Sequence, residues 1–104
     1  MGRGKTAAQA GHAVLDTFVT ASQMRPETIP PYKTNHGIKI CLLVPTLEKL
    51  EKALAQAQEA GLPAALITDF GYTVFEGVPT ITAVGIGPAK KSEVPFLKKF
   101  QLCK

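Results

Sequence analysis

The chain has 104 residues, 45% of them hydrophobic and 19% charged, which excludes a disordered segment and points to one domain around one core rather than two. Twelve Lys and Arg against eight Asp and Glu leave a net charge of +4, a balance that suits anionic partners and plain solubility alike. No run approaches the ~18 apolar residues of a membrane span, so a soluble chain with no membrane partner is expected. Cys41 and Cys103 stand far apart in sequence, with no C-x-x-C and no His spacing that suggests a metal site. They read as reduced thiols of an intracellular protein.

The N-terminal residues carry two short targeting patterns. Met1-Gly2-Arg3-Gly4-Lys5-Thr6 fits M-G-x-x-x-[ST] for myristoylation, and the first fifteen residues are basic and free of acids, as in a mitochondrial transit peptide. The same stretch opens a helix predicted over 5–24, with Ala8, Leu15, Phe18 and Val19 as its apolar face. Beside that face Lys5, Gln9, His12 and Asp16 fall within a sector of roughly 60° on a helical wheel. This polar stripe is either a solvated face or one edge of a site.

Residues 25–37 hold Pro26, Pro30, Pro31, Asn35 and Gly37 and read as a loop. Residues 38–44 form an apolar run stopped by Pro45, expected to be a strand buried on both faces. Thr46 then caps a helix with Glu48 in its first turn and Leu47, Leu50, Leu54 and Ala57 on its buried side, ended by Gly61 and Pro63. A second strand follows over 64–68, a polar turn over 69–73, and a third strand over 80–87 whose glycines suggest close backbone approach. After Pro88, Ser92 is placed to cap a short terminal helix with Val94, Phe96, Leu97 and Phe100 inward and Lys90, Lys91, Lys98 and Lys99 exposed. This alternation predicts an α/β fold, a three-layer α/β/α sandwich with a small mixed sheet flanked by helices on both faces.

Two motif readings use overlapping residues. Gly4-Lys5-Thr6 opening a helix is similar to the end of a P-loop, and the apolar strand 64–68 followed by Asp69 is similar to the magnesium-holding strand of such nucleotide-binding enzymes. The first glycine of that pattern, however, would fall before residue 1. The second reading takes in three separated segments. Gly4-Lys5-Thr6-Ala7-Ala8-Gln9-Ala10-Gly11-His12-Ala13, Asp69-Phe70-Gly71-Tyr72-Thr73 and Thr80-Ile81-Thr82-Ala83-Val84-Gly85-Ile86-Gly87-Pro88 resemble, in order and spacing, G-K-x-A-A-Q-x-x-H-A, D-x-G-x-T and T-x-T-x-x-G-I-G-P. Those are the patterns of the archaeal and eukaryotic type 2 peptidyl-tRNA hydrolases, and the resemblance covers essentially the whole chain.

The resemblance implies a metal-independent hydrolase with no cofactor. Its substrate is the ester joining a peptide to the terminal ribose of tRNA, its expected location the cytoplasm with possible mitochondrial association, and its usual form a homodimer. DNA is not an expected partner. Ester hydrolysis needs a group that activates water, donors for a developing oxyanion, and positive charge for phosphates. Asp69 at a strand end is the natural base or water-orienting group, with Lys5 to stabilise negative charge, and Thr73 and Thr82 to orient water or the carbonyl. Gln9 and His12 extend the stripe toward Lys5 and the ribose. His12 reads equally well as structural, and Asp69 with Thr73 also fits an Asx-type turn. Arg3, Lys90 and Lys91 are the candidate phosphate contacts at the edge of the site.

Two departures from the family pattern stand out. The segment between Asp69 and Thr82 is one residue longer than the family spacing, with Glu76-Gly77-Val78-Pro79 in a turn. Relatives also have an apolar strand before the G-K motif, ending near a Met whose position Met1 occupies. The expectation is a domain over 1–104 that lacks that first strand, leaving its neighbours short of ladder hydrogen bonds. A noncatalytic tRNA-binding or protein-interaction module derived from the hydrolase is therefore the alternative function, with the P-loop protein as the third.

Overall fold

The computed structural model describes residues 2–69 and 80–103. Helix α1 runs Arg3–Met24, favoured by the alanines of its first turns. Its expected apolar face is corrected. Leu15 and Val19 are 61% and 48% exposed, Ala8 is exposed and Phe18 half-buried, while Gln9, Ala13, Thr17 and Ala21 are the buried residues. These lie four apart on one row. The reason is the closeness of the helix to the sheet: a Cβ built on Gly85 would collide with Thr17 Oγ1 and stand 2.7 Å from the Ala13 carbonyl oxygen. Only small side chains fit between surfaces that near, so the long apolar ones turn outward.

The loop expected over 25–37 is also corrected. Pro26–Thr28 form a 3-10 turn and Ile29–Thr34 a short helix, α2. Proline in the first turn of a helix removes an N–H that would lack an intrahelical partner anyway, so Pro26 and Pro30 start these turns instead of breaking them. The segment ends at His36 and Gly37, both with positive φ, and the Tyr32 hydroxyl donates to the Gly37 carbonyl at 3.1 Å.

Only Leu42–Leu43 of the apolar run form a strand, β1. It is not buried on both faces: Ile38, Ile40 and Leu43 are 67%, 64% and 53% exposed. Its ladder partner is a strand of equal shortness, β4 at Gln101–Leu102, and so short a pair offers no layer that would cover the run. Helix α3, Leu47–Glu59, follows. The backbone N–H of Lys49 donates to Thr46 Oγ1 at 3.2 Å, as the cap predicts, and Glu48 sits in the first turn. At its end Gly61, at φ +74°, donates to the Gln58 carbonyl while Leu62 donates to that of Ala57. That pair of bonds is a Schellman cap. The buried side of α3 is Ala53 and Ala57, with Leu47 52% exposed and Leu50 and Leu54 half-buried.

Strands β2, Ala64–Asp69, and β3, Thr80–Ile86, pair antiparallel, from Ala64 opposite Ile86 to Asp69 opposite Thr80. Gly87 prolongs the ladder by donating to the Pro63 carbonyl at 2.8 Å. Both α1 and α3 pack on this ladder, with little contact between them, so the α/β architecture of helices laid on a sheet holds. Among the described residues the strands form two separate antiparallel pairs, β1 with β4 and β2 with β3. The predicted terminal helix is instead two 3-10 turns, Lys91–Glu93 and Pro95–Leu97. Pro95 lacks the N–H that a continuous helix would need there. Ser92 is not the cap: Glu93 Oε1 accepts from the Lys90 backbone N–H at 2.8 Å.

Candidate active site

The first turn of α1 is built unlike an ordinary helix start. Gly2 is its N-cap, no side chain caps it, and no acid lies in the turn. Arg3 and Lys5 stand there instead, where the helix dipole already concentrates positive potential. Cations at that end oppose helix stability, and the same arrangement favours an incoming anion. Arg3 is exposed and Lys5 half-buried.

The polar stripe of α1 divides. Lys5 and Gln9 continue the row Ala13, Thr17, Ala21 that faces the sheet, and Gln9 is 5% exposed. Neither Lys5 nor Gln9 stands free of polar or ring interactions. His12 and Asp16, on the flank of that row, are exposed. The structure thus separates Lys5 and Gln9 from His12 and Asp16, which the helical wheel had grouped.

Contacts along α1 fix its direction on the ladder. Its middle, at Ala13 and Thr17, meets Gly85, and near its end Arg25 donates to Glu93 Oε2 at 3.3 Å, beyond the C-terminal end of β3. The helix therefore runs from the Asp69–Thr80 end of the ladder toward the Ala64–Ile86 end. Ten residues of helix before Leu15 span about 15 Å, and five residues of strand before Gly85 span about 16 Å. By this reckoning the first turn, with Lys5, comes alongside the end where β2 stops at Asp69.

At that end the ladder is irregular. Ile67 is opposite Ala83 but Thr68 is opposite Ile81, so Thr82 is the extra residue of a β-bulge, a device that bends a strand and re-aims its side chains. For Asp69 and Thr82 the backbone alone is described, and Thr73 lies outside the described residues. The bulge is the feature that the sequence reading missed. Its one available signal was the residue in excess between Asp69 and Thr82. Lys90 and Lys91 are exposed just after β3, with Lys91 opening a 3-10 turn; they follow the Ala64–Ile86 end of the ladder, opposite the end where β2 stops at Asp69, so they do not stand at the edge of a site built around Asp69. Among the described residues no three His, Cys, Asp or Glu are grouped to hold a metal ion, and no helix is long and apolar enough to cross a membrane.

Comparison with known proteins gives a match to the family model described as Peptidyl-tRNA hydrolase PTH2 over residues 1–103. The chain is 34% identical over 94 residues to the peptidyl-tRNA hydrolase of Methanocaldococcus jannaschii, covering 90% of this chain and 81% of that protein. To the peptidyl-tRNA hydrolase of Sulfurisphaera tokodaii it is 40% identical over 93 residues, 86% of this chain and 76% of the relative. The human protein named Peptidyl-tRNA hydrolase 2, mitochondrial, is 34% identical over 90 residues, 86% of this chain and 50% of its own length. A family match along nearly the whole chain makes this protein a member of the type 2 peptidyl-tRNA hydrolase family.

Proposed function

We propose that this chain is an ester hydrolase that releases the peptide from peptidyl-tRNA, with a site formed where the first turn of α1 meets the end of β2 and the bulge of β3. The observation that carries the reading is the uncapped, acid-free start of α1 with Lys5 and Gln9 on its sheet-facing row. In this proposal Asp69 orients or deprotonates water, which attacks the ester carbonyl. Lys5 and the helix N-terminus stabilise the oxyanion that develops, and Thr73 and Thr82 hold water or the carbonyl. Gln9 keeps Lys5 in place, His12 contacts the ribose from the rim, Arg3 binds phosphate beside the site, and Lys90 and Lys91 bind phosphates of the tRNA body at the other end of the ladder.

The test is turnover of an N-blocked aminoacyl-tRNA by the wild type and by Lys5→Ala and Asp69→Asn. Loss of turnover in both variants with tRNA binding retained supports the assignment; full activity in both would overturn it. A folded wild type that binds tRNA and never turns it over is the noncatalytic module. The proposal extends to a single domain over 1–104 that works as a homodimer, checked by light scattering. It also places the protein in the cytoplasm with mitochondrial association, checked by fractionation; the name of the human relative supports the second part.

A further inference from the structure

Cys41 and Cys103 are 62 positions apart in sequence yet meet across the β1–β4 pair. Leu42 is opposite Leu102, so the next residues outward are Cys41 and Cys103, and the Cys103 backbone N–H donates to the Cys41 carbonyl at 2.9 Å. Directly opposed residues of an antiparallel pair project to the same face with Cβ atoms about 5 Å apart. A disulfide needs Cα atoms about 4.4–6.8 Å apart and Cβ atoms about 4 Å apart, which the end of a two-residue ladder reaches by a small approach of its strands. Neither cysteine is buried, so a small oxidant has access.

We propose that Cys41 and Cys103 are a cross-strand redox pair that closes to an intramolecular disulfide when the protein meets a low-molecular-weight disulfide such as oxidised glutathione. One thiolate attacks a sulfur of the oxidant, forming a mixed disulfide and releasing one glutathione thiol. The second cysteine attacks the protein sulfur of that mixed disulfide and releases the other. The two protein thiols are oxidised, the oxidant is reduced to two thiols, and the two protons go to the leaving groups. Partial desolvation, and then the neighbouring Cys103 thiol, push the Cys41 thiol up from its ordinary value. The bridge closes a loop containing α3, β2 and β3, so it ties down most of the elements around the ladder and restricts the unfolded chain. This inference stands independently of the hydrolase reading.

The experiment is equilibration of the intact chain with oxidised glutathione under denaturant-free conditions, followed by acid quench and intact-mass analysis. The expected product is a chain with no covalent link to a second copy, lighter by two hydrogens, with no free thiol. Trypsin should then release the peptide 40–49 joined to 100–104, and the melting temperature should rise by several degrees. Cys41→Ser and Cys103→Ser should each keep one glutathione adduct instead. A wild type that retains glutathione, crosslinks to a second chain or leaves both thiols unreacted would overturn the proposal, whether or not the serine variants fold.

Discussion

Gly85 of β3 and Thr17 of α1 are packed so closely that no β-carbon fits between them: one built on Gly85 collides with Thr17 Oγ1 and lies 2.7 Å from the Ala13 carbonyl oxygen. Gly85→Ala should therefore destabilise the fold by about 3 kcal/mol, the upper part of the usual range for overpacking. Thr17→Ala should recover part of this in the double variant, since the Ala13 carbonyl remains in the way. Alone, Thr17→Ala should stay within about 1 kcal/mol of wild type, because the buried hydroxyl it removes has no hydrogen-bond partner. Urea unfolding of the four chains forms the double-mutant cycle that checks this.

If the sheet-facing row of α1 carries the chemistry, the row and its exposed flank should respond differently. Lys5→Ala should lower kcat/KM by about 100-fold, the scale of removing one oxyanion donor, with the melting curve nearly unchanged because Lys5 is only half-buried. Gln9→Ala should reduce both activity and stability, since Gln9 is buried. His12→Ala, on the exposed flank, should act mainly on KM if it contacts the ribose. A large drop in kcat for His12→Ala would move the reacting centre to the other side of the helix.

The phosphate-binding side chains should appear in the salt dependence of tRNA binding. Replacing Arg3, Lys90 or Lys91, all exposed, by alanine should weaken binding for every tRNA and flatten the slope of log affinity against log salt by about 0.7–0.9 for each phosphate no longer neutralised. Lys98→Ala should leave the slope as it is. An unchanged slope in all four variants would place the substrate on another face.

Acid should loosen the junction between α1 and the turn after β3. The Lys90 backbone N–H, the largest influence, holds the Glu93 carboxyl below its ordinary value; desolvation opposes it, and the Arg25 guanidinium adds to the lowering. Because the folded value lies below the unfolded one, the stabilisation is complete above the ordinary carboxylate range and disappears as pH falls through the folded value. With both side chains about 30% exposed, the ion pair contributes about 0.5 kcal/mol. Glu93→Gln should remove that amount at pH 7 and nothing at pH 2, as read from urea midpoints.

The residues that were legible in the sequence are those whose role is local. Thr46 caps α3 and Gly61 ends it because the capping hydroxyl and the positive φ are properties of those residues themselves. Gly85 announced a close approach for the same kind of reason. Long-range relations were less legible. Leu15 and Val19 looked like core residues because periodicity records which positions share a face, while the choice of face depends on how near the neighbouring layer comes. The run 38–44 looked buried because composition carries no information about whether a second strand is available to pair with it. Lys5 and Gln9 could be grouped from the wheel, but their separation from His12 needed the sheet.

The described core also sets how stability varies with temperature. Its buried apolar residues are four alanines, Ala13, Ala21, Ala53 and Ala57, with Leu62 and Ile67, while leucines and valines elsewhere keep much of their surface in water. Unfolding such a core newly hydrates little apolar area, and the heat-capacity increment scales with that area. The described residues should accordingly contribute little to the heat-capacity increment, and their share of the denaturant m-value should be low.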